Sequence, residues 1–80
     1  MAVKVDHLAR HRDHLALIEG MIATTEAAIG KHQHEIRRML AEGGGVVPEV
    51  NALRANWEAL KRLQADREAT LRLIAKHTKR

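Results

Sequence analysis

The chain has no cysteine, phenylalanine or tyrosine, and only one proline, Pro48, and one tryptophan, Trp57, among its 80 residues. Without cysteine there is no disulfide scaffold, no zinc–thiolate centre and no thiolate nucleophile, which fits a reducing compartment. With one aromatic residue, no stacking platform for nucleic-acid bases and no helix-turn-helix reading pattern is legible. β-Branched residues are scattered and no alternating run of useful length occurs, so strands are not expected. Lys4 is not followed by an apolar stretch of the length a secretory signal needs. The longest apolar run within a helical pattern, Leu15-Ala16-Leu17-Ile18, is far too short to cross a bilayer. A soluble cytoplasmic chain without membrane contact is the expectation.

The signatures of common enzymes are missing too. The glycine run Gly43-Gly44-Gly45 follows a helical pattern rather than a strand and lacks the Lys-Ser/Thr of a phosphate-binding loop. His34-Glu35 has no second histidine three residues on, so the zinc-protease pattern fails. No nucleophile elbow is present, and the acid pairs suit surface ion pairs better than general acid–base work. The chain is read as non-enzymatic.

What is present is helical periodicity interrupted once. Three glycines cannot continue a helix cheaply, and Gly43 is placed as the left-handed residue just past a helix end. Pro48 suits a first helical position, with Glu49 at the positive end of the helix that follows. The pattern predicts one domain spanning residues 1–80: a first helix over about 6–42 with Asp6 as N-cap, a turn at 43–47, and a second helix over about 48–78.

In the first segment Leu8, Leu15, Ile22, Ile29 and Ile36 recur every seven residues, and His11, Ile18, Thr25, His32 and Met39 form the companion row. In the second, Val50, Leu53, Trp57, Leu60, Gln64, Arg67, Leu71, Ile74 and Thr78 alternate by three and four. Folding the segments antiparallel sets Met39 against Val50, Ile36 against Leu53, Ile29 against Leu60 and Leu15 against Ile74. Polar residues then also meet: Thr25 with Gln64, His11 with Thr78, and His32 with Trp57, which reads as a core anchor. The expected fold is all-α, an antiparallel helical hairpin with a coiled-coil-like seam.

So short a hairpin has two layers only, and self-association is expected. One edge is charged, with Glu19, Glu26, Arg54, Lys61 and Glu68; the other carries Met21, Ala28, Leu63 and Thr70. The second edge is the expected docking edge, with Met21, Ile22, Ala28, Leu60 and Leu63 at the interface of a homodimeric four-helix bundle. A further stripe, Ala16, Gly20, Ala23, Ala27 and Gly30, is small enough to admit a close helix.

Two other groupings carry chemistry. His7, His11 and His14 share a helix face, and the hairpin register returns His77 to the same level, an arrangement that could hold zinc. The favoured reading is nevertheless a set of part-buried structural histidines on a basic surface, in which case no cofactor is needed. The net charge of +4 and pI near 10.1 permit contact with nucleic acid or an acidic partner. The candidate contacts are Lys31, Arg37, Arg38, Arg54, Lys61 and Arg62 towards the turn, and Lys76, Lys79 and Arg80 at the open end. The leading expectation is a self-associating accessory or inhibitory regulator that binds a protein partner. A basic nucleic-acid-binding dimer and a metal- or pH-responsive histidine cluster are the alternatives.

Overall fold

A computed structural model describes the backbone of residues 2–78 and the side chains of residues 7–78. Two helices, α1 (Ala2–Ala41) and α2 (Val47–Thr78), pack against each other along their length as an antiparallel hairpin. The molecule is a rod of 64 × 15 × 14 Å. Its radius of gyration is 18.2 Å, against about 12 Å for a compact domain of this length.

The turn forms as the glycines dictate. Gly43 adopts φ +77°, the left-handed conformation that costs a Cβ-bearing residue most. Its N–H donates to the Leu40 carbonyl at 3.1 Å and the Gly44 N–H donates to the Met39 carbonyl at 2.8 Å. These two bonds make a Schellman motif and satisfy carbonyls that the end of α1 would leave open. On the far side, Val50 N–H donates to Val46 O at 2.9 Å, closing the first turn of α2. Pro48 is the second helical residue rather than the first, and at either position its missing N–H removes no helical bond. α1 begins at Ala2, so Asp6 lies inside the helix and is not its N-cap.

The buried core is narrow. Among the described residues only Ile18, Ile29 and Leu60 of the apolar ones, and Thr70 of the polar ones, are buried; Ile18 is 2% exposed. Half-buried Leu8, Leu15, Ile22, Ile36, Met39, Leu53, Leu63 and Ile74 complete the seam. The α1 rows are those the periodicity predicts. On α2 the row of Leu53, Leu60 and Ile74 is as predicted, although its fourth member Arg67 is exposed, and the other row is displaced by one residue: Glu49, Asn56, Leu63 and Thr70 turn inward instead of Val50, Trp57, Gln64 and Leu71. Both choices alternate by three and four, so periodicity alone does not separate them. Half-buried Ala28, Ala52 and Ala59 supply the physical reason. Helices close up on the flank where side chains are smallest, and Ala28, Ala52, Ala59 and Thr70 gather on the flank opposite Trp57. Trp57 is therefore displaced to the surface, 44% exposed, and is not a core anchor.

The polar seam residues satisfy themselves on their own helix rather than across the seam. Thr25 Oγ1 donates to Met21 O at 2.8 Å, Thr70 Oγ1 to Asp66 O at 2.8 Å, and Asn56 Nδ2 to Ala52 O at 3.0 Å. The expected Thr25–Gln64 pairing does not form; Gln64 lies with Glu26 and Trp57 along an outer groove. Register is instead marked by two cross-helix contacts. His32 Nδ1 donates to the Glu49 carboxylate at 3.0 Å, taking the place expected of His32–Trp57, and Arg67 Nε donates to Glu19 Oε2 at 3.3 Å. Arg67–Glu19 is exposed and contributes a few tenths of a kcal/mol. No buried side-chain polar atom among the described residues lacks a partner.

Candidate interaction surfaces

The hairpin has two flanks, one either side of the seam, and a pair of ends. The first flank is built almost entirely by α1. From Leu15 to Gly30 the only charged residues are Glu19 and Glu26, both on the opposite flank. What remains is Ala16, Leu17, Gly20, Met21, Thr24 and Ala28, with Leu17 62% and Met21 47% exposed. Thr24 hides its hydroxyl by donating to Gly20 O at 3.0 Å, so the surface is apolar in effect. Leu17, Gly20, Met21 and the two threonines line a shallow groove of about 510 Å³. Leu73 of α2, also exposed, lies three residues beyond buried Thr70 and borders the same side. Of the residues expected at a dimer interface, Met21 is open here, Ile22, Ala28 and Leu63 are half-buried at the seam margin, and Leu60 is already covered within one hairpin.

The second flank carries the residues that the displaced row left outside. Trp57 lies along a groove of about 480 Å³ lined by Glu26, Ile29, Gly30, Gln33, Leu60 and Gln64. Exposed Leu40, Val50 and Leu71 continue this side towards the two ends, and Val47 is exposed beside the turn. Arg54 and Lys61 stand three residues before and four after Trp57, which places them on its face of α2. Arg37 follows Gly30 by seven residues and so occupies the facing row of α1. The sequence reads this flank as a charged edge but sets Trp57 in the seam instead of here, and the alanines on the opposite side of α2 are the signal that could have placed it.

The basic candidates are unequal. Arg38 is committed locally: it donates to Glu35 at 2.8 Å and to Glu42 at 3.2 Å. Its hydrogen bond, and then its charge, hold the Glu35 carboxyl below the usual carboxylate value, and Glu35 in turn raises Arg38. Lys61 reaches Glu58 only at 4.0 Å, and Arg72 reaches Glu68 at 3.9 Å. Among the described residues Lys31, Arg37, Arg54, Arg62 and Lys76 make no ion pair. Lys79 and Arg80 lie outside the described residues.

At the open end, three of the four selected histidines meet. His77 stacks on His7 at a ring-centroid distance of 6.5 Å with planes 5° apart, and tilts against His11 at 5.2 Å. His14 is exposed. The His7 and His77 rings lie parallel, and among the described residues no group of three or more His, Asp or Glu is arranged to hold a metal. His11 meets His77 rather than Thr78, whose hydroxyl donates to the Ile74 carbonyl at 3.0 Å. None of the described helices is long and apolar enough to cross a membrane.

No family model, no curated protein and no solved structure matches the chain.

Proposed function

We propose that this hairpin is a non-enzymatic, cytoplasmic interaction module that self-associates through the α1 flank into a four-helix bundle and works as a small regulator by engaging a partner with its remaining surface. The observation that carries the reading is the stretch from Leu15 to Gly30, exposed on one side and uncharged there over about four helical turns. Area supports a second copy as the occupant. The chain exposes 6232 Å², whereas a compact monomer of 9.0 kDa exposes about 4,900 Å². The surplus, roughly 1,300 Å² per chain, is of the size that obligate homodimers remove. Antiparallel pairing of two such flanks sets Leu17 and Met21 against small residues, with Gly20 and Ala16 letting the backbones approach.

Sedimentation equilibrium tests this. A mass twice that of the chain for wild type, and a monomer for Met21→Asp with helicity retained, is the expected result. A wild-type monomer at micromolar concentration would overturn it.

The sequence alone favours a protein as the partner. The exposed indole beside Arg54 and Arg37, neither of which makes an ion pair among the described residues, gives specific support to the second reading, a nucleic-acid partner.

A further inference from the structure

The only tryptophan of the chain is half outside the hairpin, in a groove, with Arg54 and Lys61 one turn either side of it on α2 and Arg37 one turn beyond Gln33 on α1. We propose that this flank binds single-stranded nucleic acid, one base stacking on the Trp57 indole while Arg54, Lys61 and Arg37 contact the phosphates around it.

The geometry supplies each part that such binding requires. An indole 44% exposed offers one face to a base, and base–aromatic stacking accepts any base because every base has a π-face. Arg54 and Lys61 lie about 10 Å apart along α2, one turn on each side of the indole, so a backbone running along that helix meets a cation before and after the stacked base. Arg37 stands across the groove on α1, and neither it nor Arg54 is spent on an ion pair among the described residues. Gly30 leaves the groove open beside the indole: a Cβ added there meets nothing within 4 Å. Gln33 and Gln64 offer amide donors and acceptors to a base edge. Glu26 closes the end of the groove away from the turn and repels phosphate, so the strand is held over the turn half, where Arg37 and Arg54 are.

A membrane surface suits this flank less well. An interfacial helix presents an unbroken apolar face, and here Gln33, Gln64 and Glu26 interrupt the one that Leu40, Val50 and Trp57 begin. A duplex suits it less well too, because its bases are already stacked. The inference rests on reading the hairpin as an interaction module, but it uses the flank opposite the self-association surface. A monomer that binds and a dimer that does not are therefore distinguishable results.

Trp57 is the sole aromatic fluorophore, so intrinsic emission reports this site alone. The full chain is titrated with oligothymidine of about 15 nucleotides, enough to span several backbone contacts, with the matching duplex, and with phosphatidylglycerol vesicles. The expected result is quenching by the single strand that weakens steeply with salt, and weaker binding of the duplex. Measured by anisotropy of labelled strand, Trp57→Ala lowers affinity about tenfold. Replacing Arg54 and Lys61 by Gln flattens the salt dependence by about 1.4 logarithmic units per decade. Gly30→Leu puts a side chain into the opening that the missing Cβ leaves, so it weakens binding while circular dichroism shows helicity kept, which separates loss of the site from loss of the fold. No quenching by the single strand, quenching by vesicles alone, or an affinity unchanged in Trp57→Ala would each overturn the proposal.

Discussion

The two flanks of the hairpin expose apolar atoms in different company. On the α1 flank, Leu17 and Met21 stand among alanine, glycine and self-bonded threonine, with no charged residue of α1 on that face between Leu15 and Gly30. On the other, Trp57 stands among glutamines with arginine and lysine one turn either side of it on α2. An uncharged, small-residue face suits another of its own kind, since nothing on it needs water and backbones come close. A large aromatic among cations suits a partner that brings negative charge. Exposed apolar area by itself distinguishes neither case; the neighbouring residues do.

The largest effect comes from the core that both flanks share. Leu60→Ala opens a cavity where Leu60 is buried against α1, and it lowers stability by about 3 kcal/mol. Calorimetry checks this, and both flanks lose their function together. Next is Met21→Asp, which puts a carboxylate into the self-association face alone. It weakens the dimer by about 3 kcal/mol, a hundredfold or more, while the emission maximum of Trp57 stays where it was. A smaller effect of about 1–2 kcal/mol follows Gly43→Ala, which forces a Cβ into the left-handed conformation at φ +77°. It lowers the melting temperature and leaves both flanks chemically intact.

Gly20 and Gly30 sharpen the contrast further. An added Cβ meets nothing within 4 Å at either position of the single hairpin. Alanine at each therefore favours the isolated helix by about 1 kcal/mol. On the dimer account Gly20→Ala also stands between two closely packed backbones, so its gain in helicity comes with weaker self-association. Gly30→Ala shows the gain without that loss. Circular dichroism and sedimentation on the same samples separate the two terms.

The smallest effect belongs to the ends of α1. The Glu35 carboxyl is held below the usual carboxylate value by the Arg38 hydrogen bond and then by its charge. A folded value below the unfolded one contributes stability above the ordinary carboxylate range, and the contribution disappears as pH falls through the folded value. Glu35 is solvated, so the change is local to the last turns of α1. Carboxyl NMR shifts of Glu35 should titrate below the ordinary range in wild type and return to it in Arg38→Gln.

Much of this was legible before any coordinates. The glycine run marked the turn down to the residue that takes positive φ, because no other local chemistry at that point competes with a Schellman motif. The α1 heptad was unambiguous, since its aliphatic row continues from Leu8 to Ile36 without a break. α2 was not, because Val50, Trp57 and Leu71 are more apolar than Asn56 and Thr70, and apolarity is the usual guide to the inside. The small residues decide otherwise: the helices close up where Ala28, Ala52, Ala59 and Thr70 lie, and Trp57 is left on the open flank. The polar pairings across the seam failed for a related reason. Thr25, Thr70 and Asn56 each reach a carbonyl four residues back, a bond available without any partner helix. The convergence of His7, His11 and His77 followed from register, but the parallel stacking of two of their rings did not.

The division of labour between flanks rests first on the α1 surface being covered by a second copy. Sedimentation equilibrium of wild type beside Met21→Asp and Trp57→Ala addresses it most directly. The account predicts twice the 9.0 kDa chain mass for wild type and for Trp57→Ala, and a monomer for Met21→Asp. A monomer in all three, or a dimer that only Trp57→Ala dissociates, would contradict it.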